Sequence, residues 1–216
     1  MHKSYNLLLC DYGRRLIADQ LTTGTGGNLS IYDRDRDLIA ITPSGKAYEQ
    51  LTPDEISIIN PKGKHLNGQQ PSSEWPLHTA VYLKRPNINA IVHTHSRFAT
   101  TFAILRQTIP ACHYLIAVSG SSQIRVAPYA TFGSDALAQQ TASSLGNDNC
   151  ILMANHGLLA VGTDIHKTYN IALYIEEVAE LYYHARAIGT PELLTGKEMD
   201  AAHERFKTYG RNIPSS

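Results

Sequence analysis

No run of about 18 apolar residues occurs in the sequence, so no segment reads as a transmembrane helix. The opening MHKSYNLLLCDYGRR has only a three-leucine apolar stretch before Cys10 and Asp11, too short for the apolar core of a signal peptide. Cysteines are few: Cys10, Cys112 and Cys150 are odd in number and widely spaced, which suits thiols of a reducing compartment better than a disulfide framework. The cytoplasm is the expected location. Excess charge of one sign is also missing. Lys and Arg number 19, and Asp and Glu number 19, so there is no basic footprint for nucleic acid or an anionic membrane. A phosphate on a small substrate asks only for a local pocket. With no repeat, low-complexity run or linker, the 216 residues, 43% of them apolar, are expected to form one domain over 1–216.

What is present alternates helical and strand-like patterns. Leu9, Tyr12 and Leu16 have helical spacing in a segment over 3–20, which the run TTGTGG ends. NLSIY at 28–32 and LIAIT at 38–42 read as strands joined by the charged turn DRDRD. A third strand is expected near 56–59. Pro71-Ser72-Ser73-Glu74 reads as a helix start, with capping serines and Glu74 in the first turn, and the helix runs to about Lys84. Ala90–Thr94 is a buried strand, and Ser96 opens another helix. Strands are expected at 123–127 and 150–154, and helices at 134–145, 165–187 and 197–208. The 165–187 helix carries an apolar stripe of Ile171, Tyr174, Ile175, Val178, Leu181 and Tyr182. Interleaved helices and strands with an early hairpin predict an α/β fold with a mainly antiparallel sheet.

The strongest chemical signal is His93-Thr94-His95. Residues two apart on a strand share a face, so two imidazoles at this strand end make half a metal site. The plainer reading is two structural or solvated histidines. His156 ends a second apolar strand, Ile151–Ala154, and could be a third ligand, leaving one coordination position open as in catalytic zinc sites. It could equally be an ordinary histidine in a His-Gly turn, because spacing alone does not bring it to the other two. Glu74 either favours its helix dipole or supplies a carboxylate near the metal. Three short segments offer backbone N–H groups and hydroxyls to a phosphate: Gly24–Asn28, Thr42–Gly45 and Ser72-Ser73. None matches a P-loop or a dinucleotide fingerprint.

The segments GTGGNLS, ITPSGKAYEQLT, PSSEWPLH, IVHTHS, IPACHYLIA, VAPYATFG, NHGLLA and FKTYG, in this order from about residue 10 to 210, resemble the class II aldolase and adducin family. They are most similar to its bacterial branch acting on L-fuculose 1-phosphate. The resemblance implies a three-layer α/β/α fold with a mostly antiparallel central sheet, assembled as a homotetramer with sites near subunit interfaces. It implies one zinc per subunit on His93, His95 and His156, with Glu74 as catalytic acid/base and further ligand; manganese or cobalt would suit the same imidazoles. Gly27, Asn28, Ser44, Gly45, Ser72 and Ser73 would hold the phosphate. Tyr114 and Tyr209 would assist at the aldehyde end beside Phe132, with Tyr209 on a tail reaching a neighbouring subunit. Glu74, where the epimerase branch carries Asp, and the two tyrosines favour aldolase chemistry. The three histidines set the chain apart from adducin-like binding modules.

The implied reaction cleaves a ketose 1-phosphate reversibly into dihydroxyacetone phosphate and a short aldehyde such as L-lactaldehyde. The metal would act as Lewis acid, and Glu74 would move the C3 proton with a pKa raised by partial desolvation. The partner is thus a small phosphorylated sugar. Alternatives on the same residues are aldol cleavage of 5-deoxyribulose 1-phosphate or 5-methylthioribulose 1-phosphate, then methylthioribulose-1-phosphate dehydration or pentulose-phosphate 4-epimerisation.

Overall fold

The computed structural model describes residues 3–208. Helix α1 (Lys3–Ala18) leads into β1 (Asn28–Asp33), β2 (Leu38–Ile41), β3 (Ser57–Ile59) and β4 (His65–Asn67). Then come α2 (Trp75–Lys84), β5 (Ala90–Thr94), α3 (Arg97–Leu105), β6 (Val126–Ala127) and α4 (Asp135–Leu145). The chain continues through β7 (Cys150–Met153), β8 (Gly157–Gly162), α5 (Ile165–Ile188) and α6 (Gly196–Thr208). The strands form one sheet in the order β4-β3-β2-β1-β5-β8-β7-β6. Each neighbouring pair is antiparallel except β6–β7, which is parallel.

The two faces of the sheet bury two separate cores, so the fold has three layers, as expected. Side chains alternate along each strand. On β5, Ala90 and Val92 join a core with Leu9 and Leu16 of α1, Phe102 of α3 and Ile175 of α5. Ile91 faces the other way, towards Leu77 and Val81 of α2 and Leu137 and Leu145 of α4. Leu9, Leu16, Val81 and Ile91 are each 0% exposed. Burial of that kind is worth roughly 1.5–3 kcal/mol per side chain. All three cysteines are free, and Cys10 and Cys150 are buried. Among the described residues no helix is long and apolar enough to cross a membrane.

Several local expectations are corrected. The residue 123–127 strand shrinks to Val126–Ala127, while Ile124 pairs in isolation with Ile109. The serines before α2 do not cap it; Glu74 itself is the N-cap, without a side-chain cap bond, and Ser72 Oγ accepts from the Glu74 N–H. On α5 the buried line is Ile165, Thr168, Tyr169, Ala172, Ile175, Val178 and Ala179, and Leu181 of the expected stripe is 48% exposed.

Two polar contacts lock the elements that carry the site. Glu176 of α5 accepts from the N–H groups of Phe98 (2.7 Å) and Ala99 (2.8 Å), satisfying the start of α3, where Ser96 makes no side-chain cap bond. This fixes the β5–α3 junction at His95. Arg34, from the charged turn, lies over the Tyr32 ring and donates to Asn89 Oδ1 (2.8 Å) and Ile88 O (2.6 Å). It ties the β1 hairpin to the segment entering β5.

Candidate metal centre

β5 is the fifth strand of eight, and its C-terminal end meets the start of β1 and the β7–β8 hairpin. His93 lies opposite Asn28 on β1 and Leu159 on β8. It shares the face of Ile91, under α2, and is 0% exposed. His95 follows just past the strand end. His156 sits in the three-residue β7–β8 connection, where Asn155 adopts the left-handed conformation (φ 54°). Asn tolerates that region better than most residues, and its N–H and Oδ1 are held by Ala103 O and Arg106 Nε, both at 3.0 Å. Glu74 reaches the same point from the N-terminus of α2. Its backbone (φ −96°, ψ 13°) is in the sparsely populated bridge region common at active sites.

These four side chains converge. One donor atom from each of Glu74, His93, His95 and His156 lies within 4.8 Å of the others. The imidazole centroids are 4.7, 4.8 and 5.1 Å apart. His93 Nδ1 is 2.9 Å from Leu158 O, so Nδ1–H donates there and Nε2 turns inward. His93 Nε2 then lies 2.9 Å from His95 Nε2 and 3.2 Å from Glu74 Oε2. A neutral His95 donating from Nε2 would serve one of these contacts, but Glu74 Oε2 would still face the His93 Nε2 lone pair; a cation, either a proton on His93 or a metal ion, satisfies all three atoms. Glu74 Oε1 is 3.2 Å from His156 Nε2, yet this buried oxygen makes no hydrogen bond among the described residues. A buried carboxylate oxygen left this way is costly unless a cation meets it. Around a tetrahedral zinc the nitrogens would be about 3.3 Å apart. The donor set therefore fits a divalent metal.

The electrostatics agree. Burial would raise the Glu74 carboxyl, but His93, His156 and the Asn28 amide outweigh it and hold it well below the usual carboxylate range. This corrects the expectation of a raised pKa. Burial opposes charge on His93, but the facing Glu74 carboxylate draws its pKa up. Burial and the proximity of His93 push His95 down to about 3 and His156 down to about 4. Both are then neutral imidazoles, the form that binds metal.

A cavity of about 260 Å³ opens onto this cluster. Its lining includes all six residues of the expected phosphate site: Gly27, Asn28, Ser44, Gly45, Ser72 and Ser73. Phe132, 69% exposed, lies at the mouth. Among the described residues no Lys or Arg lines it, so an anion there would meet hydroxyls, amides, backbone N–H groups and the metal side. Two glycines are dictated by close approach. A Cβ on Gly157 would sit 2.2 Å from Thr94 O. Gly27 has φ +68°, and a Cβ there would lie 2.5 Å from His93 O. Gly27→Ala is expected to destabilise the protein by at least about 2 kcal/mol and weaken metal retention, read by denaturant melts and metal analysis.

Tyr114 is not in this cavity. It opens a 3-10 segment, Tyr114–Ser119, is 54% exposed and stacks at 6.2 Å on Phe206 of α6. It lines a different cavity, of about 470 Å³, with Leu115, Tyr174, Glu177 and Arg205. Tyr209 lies outside the described residues. The sequence left His78 as a structural histidine and did not single out Ser30 or Tyr82, and these three hydrogen-bond behind Asn28. Their signal was present: residues 74, 78 and 82 share one helix face, and residues 28 and 30 share one strand face.

Comparison with known proteins meets this geometry. The family model described as Class II Aldolase and Adducin N-terminal domain matches residues 8–183. A curated relative from Bacillus thuringiensis serovar kurstaki, named 5-deoxy-D-ribulose 1-phosphate aldolase, is 42% identical over 93% of this chain and 94% of its own. One from Escherichia coli (strain K12), named L-fuculose phosphate aldolase, is 43% identical over 89% of each chain. A solved structure titled L-fuculose 1-phosphate aldolase superposes with a TM-score of 0.93 at 39% identity, covering 96% of this chain and 98% of that one. The chain therefore belongs to the class II aldolase and adducin N-terminal domain family, and within it to the aldolases.

Proposed function

We propose that this class II aldolase is zinc-dependent and reversibly cleaves the C3–C4 bond of a ketose 1-phosphate, giving dihydroxyacetone phosphate and a short aldehyde. The observation that carries the reading is the cavity in which the Glu74–His95–His156 side meets three Gly- and Ser-bearing loops. His93, His95 and His156 would hold the ion, with Glu74 as a further ligand when no substrate is bound; manganese and cobalt accept the same set. A divalent ion there supplies the Lewis acid that offsets the negative charge cleavage leaves on the C2–C3 fragment. Glu74, a carboxylate in the free site, takes the C3 proton of dihydroxyacetone phosphate in condensation and returns it in cleavage, while the C4 oxygen gains and loses the matching proton. Gly27, Asn28, Ser44, Gly45, Ser72 and Ser73 hold the phosphate, so binding energy away from the breaking bond orients the sugar. Lys46, next to Gly45, is paired with Glu55 at 2.7 Å and is not needed as a Schiff-base amine.

We also place the enzyme in the cytoplasm, as one domain per chain in a homotetramer with sites near its interfaces. Tyr114 faces another cavity of its own chain, so its help at the aldehyde end, like that of Tyr209, needs a neighbouring subunit. L-Fuculose 1-phosphate is the first candidate substrate. The relative from Bacillus thuringiensis, matched over 93% of this chain, favours 5-deoxyribulose 1-phosphate as a second reading.

A coupled assay tests the reaction. Given each sugar phosphate, the protein is expected to release dihydroxyacetone phosphate, and a chelator should abolish the release until metal is restored. The ratio of kcat/KM names the better substrate. No release from either sugar by the metal-loaded, folded protein would exclude the aldolase reading in favour of dehydration or epimerisation.

A further inference from the structure

Behind the metal cluster runs a continuous buried hydrogen-bond chain. Asn28 Nδ2 donates to Glu74 Oε2 (2.9 Å), and Asn28 Oδ1 faces His78 Nε2 (2.5 Å). His78 Nδ1 meets Ser30 Oγ (2.6 Å), and Ser30 Oγ meets Tyr82 OH (2.7 Å). Glu74, Asn28, His78, Ser30 and Tyr82 are 6, 3, 0, 0 and 1% exposed. Glu74, the N-cap of α2, and His78 and Tyr82 within it stand at i, i+4 and i+8, and they interlock with Asn28 and Ser30 of β1.

The chain has one direction. A carboxylate only accepts, so the Asn28 amide nitrogen must face Glu74 and its oxygen must face His78. His78 Nε2 therefore carries hydrogen. An imidazole this deeply buried, hydrogen-bonded to no carboxylate, is neutral, so Nδ1 accepts from the Ser30 hydroxyl and Ser30 accepts from Tyr82. Flipping the Asn28 amide would set its oxygen against Glu74 Oε2, two acceptors facing each other. The arrangement also distinguishes the two carboxylate oxygens: Oε2 is held by Asn28, and Oε1 is left without a hydrogen bond.

We propose that His78 is a positioning residue for the aldolase reaction: by locking the Asn28 amide, the chain Tyr82–Ser30–His78–Asn28 holds Glu74 Oε2 and leaves Oε1 as the oxygen that exchanges the substrate proton. This rests on the reading of Glu74 as acid/base.

The test compares His78→Leu, Glu74→Gln and the double variant, each metal-loaded, with ¹⁵N–¹H NMR of the histidine rings of the wild type. His78→Leu is expected to lower kcat about 10–100-fold with metal content unchanged, and to move KM by less than about threefold. In the Glu74→Gln background the same change should cost less than about twofold, because its target is gone. NMR should show His78 as the neutral Nε2–H tautomer. Should His78→Leu fail to fold, Ser30→Ala breaks the chain by one hydroxyl and should lower kcat about fivefold, masked in the same way. Unchanged kcat, a loss that adds in full to that of Glu74→Gln, or an Nδ1–H tautomer would overturn the proposal. A wild-type protein with the Nε2–H tautomer but no aldolase turnover would instead overturn the functional reading, and with it this role.

Discussion

His93→Ala is expected to leave the protein without stoichiometric metal and without measurable aldolase activity, in a fold that still melts cooperatively. His93 is the most enclosed donor of the cluster, and its ring is locked by Leu158 O at 2.9 Å. Losing an outer partner of a metal ligand typically costs 10–100-fold in affinity or activity, and losing the ligand itself costs more. Thermal melting gives a readout apart from turnover. A metal that binds only the folded state adds about 2.7 kcal/mol when present at 100 times its dissociation constant. A chelator should therefore lower the wild-type Tm and leave that of His93→Ala unmoved. An active, metal-free His93→Ala protein would sink the site assignment.

Glu74→Gln separates proton transfer from metal binding. The substitution keeps an oxygen to accept from Asn28 Nδ2, now at 2.9 Å, and keeps the volume at the head of α2. It removes the ability to carry a proton. Metal content should stay near wild type, KM should change little because the phosphate loops are intact, and kcat should fall about 10²–10⁴-fold. Turnover near wild type would remove Glu74 from the chemistry. Loss of metal alongside turnover would show that Glu74 acts chiefly as a ligand rather than as the acid/base.

Much of the fold could be read from periodicity because its elements are bounded by strong local signals. Ser96, Ser134 and Asp164 stand as N-caps before α3, α4 and α5. β8 escaped notice for a physical reason. GLLAVG is buried at all six positions, so it shows no alternation, and it follows β7 after only three residues. What looks like one apolar run broken by Asn-His-Gly is a hairpin, turned by Asn155 in the left-handed region. β4 is too short, at three residues and partly exposed, to rise above the turn signals around it. The serines at 72–73 look like caps by type, but Glu74 takes that place.

The site was legible in its residue types and not in its geometry. His93 and His95 announce themselves by spacing. His156 joins them only through the sheet order that sets β8 beside β5, a long-range pairing that no local pattern encodes. Glu74 joins through the packing of α2 over β1. The buried chain through His78 needed both ends of that packing, residues about 50 positions apart, before His78, Ser30 and Tyr82 could be joined to Asn28 and Glu74. Tyr114, by contrast, carries the sequence resemblance but faces a different cavity of its own chain.

One divalent ion is expected among Glu74, His93, His95 and His156, where aldol cleavage would require it. Crystals of the purified, active protein measured on either side of the zinc absorption edge test it most directly. One anomalous peak per chain is expected within about 2.0–2.2 Å of the three inward imidazole nitrogens. An active protein whose four donors surround no metal, or whose metal lies elsewhere, would contradict it.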